Sequence, residues 1–187
     1  MSVSARITSA EFDSMVERGA FDGIGPRKIE LIQGELRFMN PAGPIHDDYI
    51  DFLNRWSHEQ TDGAEVTVRV QCSFACGEHR PEPDIMWLKP RRYGRTRPTA
   101  ADVLLLIEVS DTSLAPDLKD KADLYAECGI VEYWVIDVAA SQIQVMTESD
   151  GKHYAKIEMI IPPAHLSPRC LPHTKLMTAK LFLPPTT

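Results

Sequence analysis

The segment Asp102–Val109, DVLLLIEV, constrains the fold more than any other stretch. Val103 to Ile107 is an unbroken apolar run, without the polar alternation of a strand that shows one face to water. A run of this kind predicts a central β-strand covered on both faces, and so an architecture with layers on either side of a sheet. A carboxylate follows at Glu108, where burial is costly unless the charge is paired or bound to a metal.

The flanking segments supply the layers. Thr8-Ser9-Ala10-Glu11 reads as a capping box that opens a helix running to about Gly19. KIELIQGEL, residues 28–36, predicts a β-hairpin turning at Gln33-Gly34. A helix follows Pro44, with Tyr49, Phe52, Leu53 and Trp56 on one stripe. Strands are expected at Glu65–Cys72, Asp84–Leu88, Glu132–Val138, Gln142–Thr147 and His153–Ile161. A helix over Asp117–Cys128 ends at Gly129. The prolines of 162–185 suggest loops and a tail with a short helix near Leu176–Leu183. The sum is an α/β chain: a mixed β-sheet flanked by α-helices, with an N-terminal helix and β-hairpin. It is expected to be one domain over 1–187, with its core at about 8–161 and a proline-containing C-terminal segment at 162–187.

Composition narrows the function. The chain has 187 residues, 43% of them hydrophobic, and a net charge of −7. That balance excludes a generally basic nucleic-acid coat protein. The charge is uneven: of the three blocks 1–64, 65–98 and 99–187, only the middle one, with 7 bases and 4 acids, is net positive. The first residues lack the apolar stretch of a secretory signal, and no apolar run approaches the ~20 residues of a membrane span. The 4 cysteines do not make a disulfide scaffold; a reducing cytoplasm is the expected setting. Cys72 and Cys76 would lie about 13 Å apart in an extended strand, at roughly 3.3 Å per residue, so without a turn they could not share a zinc, and core or edge cysteines are the expected reading.

Two acids stand out. Asp84 follows Pro83 at the start of a strand, and Glu108 ends the central one, with the parity of Leu104 and Leu106. Carboxylates on neighbouring strands can converge on one hard cation such as Mg²⁺, which takes one or two carboxylates and keeps waters for a phosphate. Stepping about 100° per residue from Leu118 places Lys121 within the apolar arc of Ala122, Leu124, Tyr125 and Cys128, facing the sheet. A lysine there can hold a water or offset charge on a phosphate oxygen. Glu30 projects from the hairpin opposite to Ile29 and Leu31. Singly, a strand-end acid is an edge residue and a flank lysine snorkels; the combination points to chemistry.

At these residues the chain resembles the Uma-two-type restriction endonuclease family of the PD-(D/E)XK nuclease superfamily. KIELIQGEL, PEPDIMWL (81–88), LLLIEVSDTSLAPDLKDKADLY (104–125) and CGIVEYWVID (128–137) carry the resemblance, the third most specifically. It implies a restriction-endonuclease-like fold and a Mg²⁺-dependent endonuclease hydrolysing DNA phosphodiester bonds, with Mn²⁺ as a substitute. Asp84 and Glu108 would be metal ligands, joined by the Val109 carbonyl, and Glu30 would support the metal directly or through water. The lysine that the superfamily carries two residues after the Glu is replaced by Ser110; Lys121 would act instead. Gln71 and His46 also match family positions, Gln71 as a water or phosphate ligand and His46 without an assigned role.

KPRRYGRTR (89–97) follows the Asp84 strand. Its five bases, Arg91 and Arg92 among them, can serve as a phosphate clamp or simply line a solvated loop. A non-catalytic binding or assembly module on the same fold, and a metal-dependent phosphohydrolase of small nucleotides, are the competing functions. DNA affinity is expected to be weak and salt-sensitive. A homodimer is expected by analogy with the fold class, with edges such as Gln142–Thr147 pairing across a two-fold.

Overall fold

The apolar run becomes an interior strand of a six-stranded sheet. A computed structural model of the chain describes residues 5–24, 28–39 and 41–182. In chain order the elements are α1 (Ser9–Glu17), β1 (Ile29–Ile32), β2 (Glu35–Phe38), α2 (Pro44–Gln60), β3 (Thr67–Val70), β4 (Ile85–Leu88), β5 (Val103–Ser110), α3 (Leu114–Pro116), a π-helical turn (Asp117–Lys121), α4 (Ala122–Glu127), β6 (Glu132–Asp137), β7 (Gln142–Ser149), β8 (Tyr154–Ile160), β9 (His165–Leu166), β10 (Leu176–Met177) and α5 (Thr178–Leu181). The sheet order is β3-β4-β5-β6-β7-β8, with β5–β6 parallel and every other pair antiparallel.

Local chemistry explains the boundaries. The Thr8 hydroxyl accepts from Glu11 N, and Glu11 accepts from Thr8 N, closing the capping box. Gln33 and Gly34 both have positive φ, 54° and 78°, as a two-residue hairpin turn requires. Gly129 ends α4 with φ 76°, and Ile130 N reaches back to Tyr125 O.

Each face of the sheet is covered. On one side α2 brings Ile50, Leu53 and Trp56 onto Trp87, Ile107 and Trp134. Trp56 stacks on Trp87 at 5.2 Å, and such a pair adds about 0.5–1.5 kcal/mol beyond its buried area. On the other side α4 sets Leu124 and Tyr125 against Met86, Leu106 and Tyr133. Among the described residues no helix is long and apolar enough to cross a membrane.

Four expectations need correction. Gln142–Thr147 is not an exposed edge: β7 is paired with β6 and β8, and β8 ends the sheet. Leu104 does not share the Glu108 face. The β4–β5 register shifts between Trp87 and Leu88, and this bulge moves Leu104 to the α2 side. The Lys121 helix is not uniformly α but begins with the π turn. The proline-containing segment is not a tail, since Leu166, Leu176 and Leu181 enter the α2-side core and Trp56 Nε1 donates to Lys175 O. Leu183, the expected end of the last helix, lies outside the described residues. The cysteines also depart from the unpaired state expected of a reducing setting: Cys76 and Cys128 form a disulfide, while Cys72 and Cys170 are free.

Candidate active site

Ile85 faces Ile107 across the β4–β5 ladder. One residue further, Asp84 and Glu108 leave the sheet from neighbouring strands on the Met86 and Leu106 face, the face that α4 covers. Cross-strand neighbours carry their Cβ atoms about 5 Å apart. Both carboxylates are buried, so each requires compensating charge or hydrogen bonds.

Asp84 is compensated on both oxygens. Lys28 Nζ stands 3.1 Å from Oδ1, His46 Nε2 lies 3.2 Å from Oδ2, and Val109 N donates to Oδ2 at 2.9 Å. Burial alone would raise this carboxyl. The His46 hydrogen bond and the Lys28 charge outweigh it and hold Asp84 below the ordinary carboxylate range. In return, the hydrogen bond to Asp84 raises His46 against its own burial. Burial works against the Lys28 charge, but Glu108, Asp84 and Glu30 hold its pKa above the usual lysine value.

Glu108 Oε1 accepts from Lys121 Nζ and from the Tyr125 hydroxyl, each at 2.9 Å. Burial still pushes the Glu108 carboxyl up. Lys121 is 9% exposed. Burial disfavours its charge, but Glu108, Glu30 and Asp117 overcome that and keep it protonated. Glu30 is buried as well, with Oε1 accepting from Glu82 N at 2.8 Å.

Asp117 completes the constellation. Its Oδ1 is 3.4 Å from Lys121 Nζ, and its Oδ2 accepts from Ser110 Oγ at 2.7 Å and from Ser113 Oγ. Asp117 and Lys121 are four residues apart, so their side chains are neighbours on one face of the turn. π-turns are enriched at functional sites. Ser110 is thus tied to the acid that holds Lys121.

The structure therefore brings Glu30, Asp84, Glu108, Lys121 and His46 together, with the Val109 backbone beside them. Lys28, Asp117 and Tyr125 were missed by sequence reasoning, yet both signals were present. Lys28 shares strand parity with Glu30, and Asp117, Lys121 and Tyr125 recur every fourth residue.

The basic loop is divided. Arg91 is held by Asp102 at 2.8 and 2.9 Å and lies 4.7 Å over the Tyr93 ring. Asp102 and Val109 lie at opposite ends of β5, roughly 20 Å apart at strand rise, so Arg91 is not beside Asp84. Arg92 is exposed on the same outer part of the loop. The end of the loop returns. Arg95 and Arg97 join Arg69, Gln71, Glu82 and Asp13 around an open groove of about 510 Å³. Gln71 N donates to Asp84 O at 2.9 Å, which sets this groove against the carboxylate site.

Among the described residues no three His, Cys, Asp or Glu side chains form a ready metal cage. The donors nevertheless suit a hard cation that keeps most of its waters: two carboxylates and one backbone carbonyl. The acids already gather a positive charge, the Lys28 ammonium.

The family model described as "Uma2: Putative restriction endonuclease" matches residues 25–179. The crystal structure of a "putative nuclease belonging to DUF820" from Anabaena variabilis superposes with a TM-score of 0.71 at 17% identity, covering 94% of this chain and 97% of that one. No curated protein matches the chain.

Proposed function

We propose, from the premise that the chain belongs to the Uma2 family of restriction endonuclease-like proteins, that it hydrolyses DNA phosphodiester bonds with a divalent cation at the Asp84–Glu108 site. The observation that carries this is the pair of buried carboxylates on neighbouring strands, Asp84 just before β4 and Glu108 on β5, with Lys121 Nζ 2.9 Å from Glu108. Asp84, Glu108 and the Val109 carbonyl would hold Mg²⁺ or Mn²⁺, with Glu30 supporting it directly or through water. A cation there supplies Lewis-acid polarisation of a phosphoryl oxygen and a lowered pKa for water.

The remaining work falls to the chain's own groups. Lys121 stays protonated among three acids, so it serves as a fixed positive charge offsetting negative charge on the phosphoryl group. Tyr125 and Asp117 hold Glu108 and Lys121 in place. Lys28 sits on Asp84 Oδ1, an oxygen that a cation would compete for, and on its long stem the ammonium would be within reach of a phosphate oxygen. Gln71 and the arginines beside it follow the strand away from the site. The −7 net charge of the chain keeps this affinity weak and salt-sensitive.

The test is plasmid cleavage with and without Mg²⁺ or Mn²⁺, wild type beside Asp84→Ala and Glu108→Ala. Cleavage is expected only with the cation and only in the wild type. Equal cleavage by either folded variant overturns the proposal.

A further inference from the structure

β8 is the last strand of the sheet, and among the described residues no strand pairs with its outer edge. Edge strands are usually blunted because their free N–H and C=O groups recruit other strands. This one is seven residues long and carries exposed apolar side chains: Ile157 is 58% and Met159 61% exposed, and Ile161 just beyond is 61% exposed. Ile157 faces Met146 across the β7–β8 ladder, so this apolar row lies on the α4 side of the sheet. Lys156 and Glu158 point the other way and form an ion pair of 2.8 Å along the strand.

The strand is self-complementary. Full antiparallel overlap of Tyr154–Ile160 with a second copy places Ile157 opposite Ile157. The same register sets Lys156 opposite Glu158 twice, Ala155 opposite Met159 and Tyr154 opposite Ile160. The two neighbouring registers that keep the faces matched set Lys156 on Lys156 or Glu158 on Glu158, and like charges directly opposite are destabilising. Overlap and charge therefore select one register. The contact is isologous and closes on itself. We propose that β8 is the homodimer surface of this protein, two copies pairing antiparallel about Ile157 into a continuous sheet. The proposal does not depend on the nuclease assignment.

The experiment is light scattering with size-exclusion chromatography on the full chain over a micromolar range, with circular dichroism to confirm folding. The wild type is expected as a dimer. Lys156→Glu and Glu158→Lys are each expected to weaken the dimer at least tenfold, because each sets like charges opposite. The double charge swap is expected to restore it. Ile157→Cys is expected to give, on oxidation, a dimer whose disulfide maps to residue 157 of both copies. A monomeric wild type would show that Lys156 and Glu158 merely protect the edge. A dimer indifferent to both single charge changes would place the interface elsewhere. Either result overturns the proposal.

Discussion

Lys28 Nζ lies 3.1 Å from Asp84 Oδ1, so the carboxylate proposed to bind a divalent cation already holds an ammonium. The two positive charges compete for one oxygen. At about 4 Å and an effective dielectric near 20, two unit charges interact by about 4 kcal/mol. Removing the lysine charge therefore favours the cation by a substantial part of that. Lys28→Met is expected to bind Mn²⁺ at least about tenfold more tightly, or ~1.4 kcal/mol, in a calorimetric titration. Equal or weaker binding would show that Lys28 does not compete.

Lys121 serves Glu108 and Asp117 together. Lys121→Met leaves both acids buried without their cation, and breaking a buried pair costs about 3–5 kcal/mol. The lower end is expected, because burial already pushes Glu108 toward its neutral form. For a chain of this size that corresponds to roughly 10 °C in Tm. Mg²⁺ should recover part of the loss by supplying positive charge to Glu108. A thermal melt in chelator and in Mg²⁺ measures both effects; an unchanged melt in chelator would mean that the lysine carries no such role.

What was legible in the sequence was mostly local. The Val103–Ile107 run, the Thr8 capping box and the Gln33-Gly34 turn are set by neighbouring residues, and the structure keeps each of them. Lys121 was legible because its helical arc survives the π turn. Sheet order was not legible: β7 and β8 both suit an edge, and only long-range pairing makes β8 the outer one. The bulge that turns Leu104 away from Glu108 depends on where β4 ends, not on the sequence of β5. The arginine loop misled because nearness in sequence to Asp84 is not nearness in space. β4 carries the chain away from Asp84 before the loop begins, and only its last residues return. The proline-containing segment read as a tail because its apolar residues are widely spaced, although Leu166, Leu176 and Leu181 are core.

On the opposite face of the sheet, Trp87 Nε1 donates to Ser57 Oγ at 2.9 Å, and Ser57 Oγ donates to Leu53 O at 2.8 Å. Ser57→Ala strands the indole N–H in a buried site, which costs about 1–3 kcal/mol. The urea midpoint should fall with an unchanged m value. Cleavage should persist below the melt, because Trp87 faces away from Asp84. Full stability in Ser57→Ala would show that the indole finds another acceptor.

His153 Nδ1 lies 2.7 Å from Asp123 Oδ1 on the surface. The hydrogen bond to Asp123 and then the Asp123 charge raise this histidine above its ordinary value of 6.5. A raised folded-state pKa stabilises the fold fully below about 6.5, and that contribution is lost as pH rises through the higher folded value. An NMR titration of the imidazole should therefore give a midpoint above 6.5, and Asp123→Asn should lower it. A midpoint indifferent to Asp123→Asn would remove the interaction as the cause.

The groove beside Gln71 and the outer arginines make opposite predictions about salt. Arg69, Arg95 and Arg97 line the groove next to the carboxylates, whereas Arg91 is committed to Asp102 at the far end of β5. Each phosphate neutralised on B-DNA steepens the dependence of log K on log salt by about 0.9. Arg69→Ala with Arg95→Ala should therefore flatten that slope by about 2 in a fluorescence anisotropy titration with duplex DNA. Arg91→Ala should leave the slope unchanged, because its guanidinium is already neutralised by Asp102 at 2.8 Å. The reverse pattern, with Arg91 controlling the slope and the groove arginines silent, would move the DNA track to the outer loop and away from Gln71.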